Sequence, residues 1–267
     1  MGVSVSVLAS GSRGNCAIVQ SATTRILVDA GISCRETFKR IKAGGDDPQS
    51  LCAIVITHEH SDHVYGLPVL AKKLNLPIFM TEATHHAWSR AMRDSNGERP
   101  QLPKLEVFCS GKNFQIGDIA VTPFTIPHDA ADPVGFTFKA EGVKIGFATD
   151  LGYLPASVRD HLHRCDVLLI ESNHDLEMLR IGPYPWSVKQ RVMSRVGHLS
   201  NDALAEFFTN DYDGGATYVV LAHLSEHNNH PELARGAAEK ALGARRTLLR
   251  NRVMLAAQSA PLEAIRL

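Results

Sequence analysis

The chain has 267 residues, of which 44% are hydrophobic and 21% are charged, an ordinary composition for a globular protein that buries a core. Lysine plus arginine equals aspartate plus glutamate at 28 each, so global charge gives no sign of a nucleic-acid binder. No apolar stretch approaches the roughly 20 residues of a membrane span, no signal peptide is expected, and five scattered cysteines favour a reducing cytoplasm over a disulfide framework.

The first part of the chain predicts mostly strands. Alternating valine and serine over residues 3–7 indicate a half-buried strand, and a tight glycine- and serine-rich loop follows over residues 10–15. The next predicted elements, in order, are a hairpin over 16–19 and 25–29, a buried strand over 52–56, a helix over 67–74, a strand over 77–80 and a helix over 84–92.

The second part predicts the same mixture of strands and helices. The predicted elements are a strand-rich stretch over 105–138, strands over 143–149 and 167–171, helices over 186–196 and 202–208, a strand over 217–222, a helix over 232–242 and a closing strand over 252–256. Because the chain has no internal repeat, low-complexity segment or long linker, we expect one domain over residues 1–267. Strand-rich halves that each contain helices predict an α+β fold, with two sheets sandwiched between helices.

The segment T-H-E-H-S-D-H, residues 57–63, directly follows the predicted strand over 52–56. A strand end presents alternate residues on one side, so His58 and His60 can reach the same metal ion. The chain must then turn, which lets Asp62 and His63 face a second ion about 3.5–4 Å away. A solvated histidine-rich turn is the alternative interpretation, and the density of ligand-type residues disfavours it.

Three further candidate ligands, His128, Asp150 and His223, each close a predicted strand. One such residue alone is more often a cap or a hydrogen-bonded histidine, but the three together after T-H-E-H-S-D-H support one another. Asp150 is suited to bridge two ions because each of its oxygens can bind one. His198 precedes a predicted helix and is available for another task, while His174 follows a strand end.

These residues, in this order, resemble the metallo-β-lactamase superfamily over the whole chain. The resemblance implies an αββα four-layer sandwich with a dinuclear site at the rim of its two sheets. The ligands that it implies are His58, His60 and His128 for one ion, Asp62, His63 and His223 for the other, and Asp150 as the bridge.

Four short motifs further resemble the YycJ/WalJ group, which is assigned a 5′→3′ DNA exonuclease activity. They are L-A-S-G-S-x-G-N at 8–15, E-S-N-H-D at 171–175, G-H-L-S-N at 197–201, and H-L-S with N-N-H-P within 223–231; E-H-N at 226–228 departs slightly from the group's pattern. The resemblance implies DNA as the substrate and catalytic roles for Asp62 and His198. The substrate-binding residues that we expect are Ser10, Ser12, Asn15, His174 and Asn229.

His198 favours phosphodiester chemistry because a departing sugar oxygen benefits from a general acid, typically by roughly 10²–10⁴-fold. Two Zn²⁺ or Mn²⁺ ions sharing a hydroxide would attack phosphorus, and His198 would protonate the leaving oxygen. The loop over 10–15 could bind phosphate through its N–H groups or be a plain turn.

Other functions stay open on the sequence. A secreted β-lactamase is disfavoured by the missing export signal and the bridging aspartate, and a binding-only protein by the complete ligand set. A small-molecule hydrolase, either a cyclic phosphodiesterase or a glyoxalase II-like thioesterase, is the main alternative. Two basic runs could be solvated helix faces or a phosphate-tracking groove: Arg180, Lys189, Arg191 and Arg195; and Arg245, Arg246, Arg250 and Arg252.

Overall fold

The computed structural model describes residues 2–92, 97–243 and 251–267, and the strands in these ranges form two sheets of seven strands each. The strands are β1 (Ser4–Ala9), β2 (Cys16–Gln20), β3 (Arg25–Val28), β4 (Ala53–Val55), β5 (Ile78–Thr81), β6 (Leu105–Phe108), β7 (Phe114–Ile116), β8 (Ile119–Thr125), β9 (Val134–Ala140), β10 (Val143–Ala148), β11 (Val167–Glu171), β12 (Tyr218–Ala222), β13 (Arg252–Leu255) and β14 (Ile265–Arg266).

The helices cover the outer faces of the sheets. They are α1 (Cys34–Ala43), α2 (Ser61–Val64), α3 (Leu67–Leu74), α4 (Glu82–Ala91), α5 (Ala156–Leu162), α6 (Leu176–Ile181), α7 (Trp186–Val192), α8 (Asn201–Asn210) and α9 (Pro231–Gly243), with a 3-10 helix at Pro48–Ser50. Within the described ranges, no helix is both long enough and apolar enough to cross a membrane.

Each sheet joins an antiparallel part to a parallel part. The first sheet has the order β14-β1-β2-β3-β4-β5-β6 and is parallel from β3 to β6. The second has the order β13-β12-β11-β10-β9-β8-β7 and is parallel from β10 to β13. Parallel strands are covered on both faces, which explains why every residue of β4 and β11 is buried. Their carboxyl ends meet at one edge of each sheet, where loops can assemble a site.

Three hydrophobic cores separate four layers. The central core lies between the sheets and contains Phe136 and Val220. One outer core packs the first sheet against helices through residues such as Ile54 and Trp88. The other packs the second sheet against α5, α8 and α9 through residues such as Phe208. The predicted αββα sandwich is therefore confirmed.

The structure differs from the sequence-based prediction at several elements. Helices α1, α2, α5 and α6 were not predicted; the buried side of α1, for example, consists of Cys34, Thr37 and Ile41, a weak apolar pattern. The prediction that a strand over 252–256 closes the chain is wrong, because β14 follows it. Strand β14 has only two residues and depends on antiparallel pairing with β1.

The helix predicted over 186–196 ends at Val192 instead. The chain then turns back, and Gly197 passes so close to the helix end that a Cβ atom there would lie 2.2 Å from the carbonyl oxygens of Arg191 and Val192. Only glycine fits this approach. The turn brings His198 to the edge where the parallel strands end.

Candidate metal centre

The candidate ligands lie in the loops at the carboxyl ends of strands from both sheets. His58, His60, Asp62 and His63 follow β4 in the first sheet. In the second sheet, His128 lies between β8 and β9, Asp150 follows β10 and His223 follows β12. The site therefore spans the rim where the two sheets face each other, as the sequence predicts.

Three strand-end residues around this rim adopt the left-handed backbone conformation although none is glycine. The φ angles are 59° at Asp29, 61° at Asp150 and 54° at His223. A non-glycine residue in a rarely populated conformation of this kind costs on the order of 1–3 kcal/mol and is common at functional sites. Here it ends the extended strand abruptly, so that the chain turns at the residue whose side chain enters the rim.

The side chains form two adjacent clusters of ligand atoms. One nitrogen from each of His58, His60 and His128 lies within 4.8 Å of the others. The second cluster comprises Asp62, His63, Asp150 and His223. One ligand atom from each of these residues likewise lies within 4.8 Å of the others. Asp150 directs different oxygens at two histidines, with Oδ2 3.3 Å from His63 Nε2 and Oδ1 3.5 Å from His223 Nε2. Each cluster has the composition to hold one ion.

Two buried atoms in these clusters fit a metal ion. Within the described part of the chain, His58 Nε2 and Asp150 Oδ2 are buried and have no hydrogen-bond partner. Leaving such an atom unsatisfied costs about 1–3 kcal/mol, which coordination would remove. Imidazole nitrogens and carboxylate oxygens are also the ligands that Zn²⁺ and related divalent cations accept. The residues present therefore fit a divalent metal centre.

Buried carboxylates orient two of the histidines from outside. His63 Nδ1 donates to Asp29 Oδ2 at 2.8 Å, and His223 Nδ1 donates to Glu171 Oε1 at 2.8 Å. With Nδ1 committed as a donor, Nε2 is the nitrogen left for the metal, and the ring cannot rotate freely. Asp29 also accepts the N–H of Thr57 at 2.9 Å, which connects β3 to the start of the histidine segment.

Two of the other histidines, His58 and His128, have neutral partners at Nδ1. His128 Nδ1 lies 3.2 Å from the carbonyl oxygen of Gly197, and His58 Nδ1 lies 3.0 Å from the hydroxyl of Thr57. His128 Nε2 is 3.2 Å from His60 Nδ1, and the two rings meet edge-on, at an interplanar angle of 74°.

Glu171, like Asp29, is a residue whose part in the site the sequence reasoning missed. It is fully buried; Oε1 is 2.8 Å from Nδ1 of both His198 and His223, and Oε2 accepts the N–H groups of Leu151 and Leu199. Burial acts to raise the pKa of this carboxyl, but the two histidines and the hydrogen bonds outweigh it and lower the pKa to about 2. The E-S-N-H-D motif was the available signal for it.

His198 lies above both clusters. Its ring centroid is 5.2 Å from that of His223 and 5.3 Å from that of His128, and 18% of its side chain is exposed. Burial acts to lower its pKa, but the Glu171 carboxylate reverses this effect and raises the pKa above its ordinary value. Glu171 occupies Nδ1, so Nε2 is the nitrogen that can serve a substrate.

Of the residues expected to contact substrate in the loop over 10–15, Ser12 is exposed and the other two are buried. Ser10 Oγ accepts the N–H of His223 at 2.8 Å. Asn15 Nδ2 lies 3.2 Å from Asp62 Oδ2 and 3.0 Å from His63 Nε2. Ser10 and Asn15 thus support candidate metal ligands.

His174 and Asn229, which were also expected to bind substrate, are buried behind the rim. His174 is 1% exposed, and burial lowers its pKa to about 4, which keeps the ring neutral. Asn229 Nδ2 donates to the carbonyl oxygens of Ser172 and Asn173 at 2.9 and 3.0 Å. His174 is not accessible to a substrate, whereas Asn229 lines a cavity together with Ser10 and Arg13, and its hydrogen bonds secure the loops that carry the site.

The basic run that ends near His198 is already partnered within the protein. Arg180 pairs with Glu177, Arg191 pairs with Asp129, Arg195 stacks on Tyr153, and the buried Lys189 donates to the carbonyl of Arg180. The Asp129 carboxylate reduces the charge that Arg191 offers to a phosphate backbone, whereas the side chains of the Arg180–Glu177 pair are 70% and 72% exposed, so a phosphate can displace Glu177. In the second run, Arg252 lies over Tyr218, while Arg245, Arg246 and Arg250 fall outside the described residues.

Comparisons with known proteins agree with this geometry. Residues 24–224, which include all the candidate ligands, match a family model described as the beta-lactamase superfamily domain. The chain is 40% identical over 246 residues to exodeoxyribonuclease YycJ of Bacillus anthracis, covering 91% of this chain and 90% of that protein. It is 36% identical over 234 residues to exodeoxyribonuclease WalJ of Streptococcus pneumoniae serotype 2, covering 88% and 86%. The metallo-beta-lactamase fold protein YhfI from Bacillus subtilis shares the fold, with a TM-score of 0.70 at 17% identity and coverage of 97% and 99%.

The role of Glu171 can be tested by Glu171→Gln, which preserves shape but removes the charge that holds His198 and His223. We expect metal affinity to fall by roughly 10–100-fold, as is typical when an outer partner of a metal-binding histidine is lost. Competition against a chelator of known affinity measures this change. Glu177→Gln, an exposed glutamate on α6, is the matched control and should leave the affinity unchanged. Unaltered affinity in Glu171→Gln would show that Glu171 does not orient a metal ligand.

Proposed function

The chain belongs to the beta-lactamase superfamily and, within it, to the family of YycJ and WalJ; on this premise we propose that it is a metal-dependent phosphodiesterase that removes nucleotides from the 5′ end of DNA. The observation that carries the proposal is the 40% identity to exodeoxyribonuclease YycJ across nearly the full length of both proteins. The rim supports it, because the candidate ligands for hydrolytic metal ions are complete and an additional histidine stands beside them.

The proposed centre holds two divalent cations, Zn²⁺ or Mn²⁺. The proposed ligands are His58, His60 and His128 for one ion and Asp62, His63 and His223 for the other, with Asp150 between them. When bound, such ions would supply Lewis-acid chemistry, activating water and offsetting the negative charge of a phosphate. Asp150 directs Oδ2 at His63 and Oδ1 at His223, which supports its bridging role.

The protein's own contribution is to hold these groups and to deliver a proton. Glu171 fixes His198 through Nδ1, which leaves Nε2 to donate a proton to the departing sugar oxygen. Asp29 and Glu171 keep His63 and His223 in one orientation, so that the ligands need not rearrange when substrate arrives.

DNA as the substrate would place the protein in the cytoplasm. That compartment also suits the cysteines, which are free in the structure, because a reducing environment keeps thiols unpaired.

The activity itself can be tested with DNA labelled at either end in the presence of Zn²⁺ or Mn²⁺. We expect a 5′ label to be released as mononucleotide from the start of the reaction, while a 3′-labelled strand shortens stepwise. Asp150→Asn, which retains the size of the side chain but removes its charge, should abolish both signals. The proposal would be contradicted if the protein cleaved no polynucleotide but efficiently cleaved a cyclic phosphodiester or a thioester.

The general-acid role of His198 predicts a dependence on the leaving group. His198→Ala should lower kcat on DNA by roughly 10²–10⁴-fold while leaving metal content intact. The loss should shrink on bis(p-nitrophenyl) phosphate, because nitrophenolate departs without needing a proton. His161→Ala serves as the control, since that histidine stacks on Phe124 within the second sheet's outer layer. Equal losses on both substrates would indicate that His198 positions substrate or metal instead.

A further inference from the structure

The loop over residues 10–15 has a conformation that only its glycines permit. Gly11 and Gly14 have φ angles of 143° and 147°, and a Cβ atom on Gly14 would lie 2.6 Å from the carbonyl oxygen of Gly31. The N–H of Asn15 donates to the carbonyl of Asp62 at 2.7 Å, which ties the loop to the histidine segment. The loop is therefore held in a defined position beside the candidate metal centre.

Arg13 projects from this fixed loop into solvent. Its backbone N–H donates to Gln258 Oε1 at 2.7 Å, while 66% of its side chain is exposed. Among the described residues, the guanidinium group pairs with Glu226 at 3.0 Å, and 57% of the Glu226 side chain is also exposed. An ion pair this exposed contributes little to stability, so a more strongly charged ligand can displace Glu226.

Two cavities meet at Arg13. The smaller, about 280 Å³, is lined by Arg13 together with Ser61, Asp62 and Tyr65 and so borders the metal centre. The larger, about 390 Å³, is also lined by Arg13, together with Glu226, and has an apolar wall that includes Leu224. Its volume is within the range that small-ligand sites occupy.

The larger cavity combines the surfaces that a nucleoside needs. Leu224, Pro231 and Leu255 supply apolar surface for the face of a base, and Ser225 and Gln258 supply polar groups for the sugar or the base edge. A hydrogen bond from Ser10 N–H to the carbonyl of residue 257 closes the back of this cavity against the loop.

We propose that Arg13 binds the terminal 5′-phosphate of a DNA strand and that the larger cavity receives the terminal nucleoside. The planar guanidinium fork matches two phosphate oxygens, which makes arginine the preferred residue for this contact. The inference rests on the proposed exonuclease function and deepens it, because it assigns the residues that recognise the end of the substrate.

The chemistry of the proposed reaction regenerates this ligand. Water adds to phosphorus, the bond from phosphorus to the 3′ oxygen of the terminal nucleotide breaks, and that oxygen takes a proton. The phosphate stays on the second nucleotide, which becomes the new end of the strand. Each cycle therefore leaves a 5′-phosphate for Arg13 to bind again.

The test compares 5′-phosphorylated with 5′-hydroxyl DNA. Binding is measured with oligonucleotides whose first linkage is a phosphorothioate, which slows cleavage, and turnover is measured with ordinary oligonucleotides. For the wild-type protein we expect binding and kcat/KM to favour the phosphorylated end by about tenfold, the size typical of a charge-assisted hydrogen-bonded contact. Arg13→Gln should reduce this ratio to near one.

Two further variants separate substrate recognition from stability. Glu226→Gln removes the competing partner of Arg13 and should maintain or raise the ratio, whereas a purely structural ion pair would make both variants lose it equally. Arg159→Gln, which breaks an ion pair with Asp211 on α8's C-terminal side, should leave the ratio unchanged. If the protein degrades DNA but uses 5′-phosphorylated and 5′-hydroxyl strands equally well, this inference alone would be overturned. A protein that degrades no DNA would overturn the exonuclease function as well.

Discussion

Two buried carboxylates, one in each sheet, organise the rim on which the site is built. Asp29 follows β3 of the first sheet and fixes His63, while Glu171 ends β11 of the second sheet and fixes His223. A buried carboxylate is costly unless it is paired and hydrogen-bonded, and these pairs satisfy that requirement. The same contacts that stabilise the two carboxylates therefore determine which nitrogen of each histidine faces the centre.

The backbone at the rim is strained in a way that the surrounding layers stabilise. Asp29, Asp150 and His223 each end a strand in a left-handed conformation, and each strand is anchored by the cores on both of its faces. The strain is tolerated because these cores oppose any relaxation of the strand ends. Because ligand atoms are then held in place before any ion arrives, binding of an ion would stabilise the folded state by linkage.

The sequence predicts the elements and residues that depend on local patterns. It does not predict those that form only through contacts with residues distant in the chain. The strand at 167–171 and the helix at 67–74 were predicted with their observed limits, because their apolar patterns are strong. The spacing of the residues from His58 to His63 likewise predicts, without distant contacts, that their side chains can reach metal ions. By contrast, β14 exists only through pairing with β1, and nothing local marks Asp29 as the partner of a histidine. The burial of His174 behind the rim also depends on residues far away in sequence.

We propose that the two ligand clusters form a dinuclear centre joined by Asp150. Anomalous diffraction from crystals of the protein loaded with Zn²⁺, recorded at the zinc edge, can test this. We expect two peaks about 3.5–4 Å apart, the usual spacing of two-metal hydrolytic sites, with Asp150 between them. A single peak at the rim, or two peaks of which neither contacts Asp150, would contradict it.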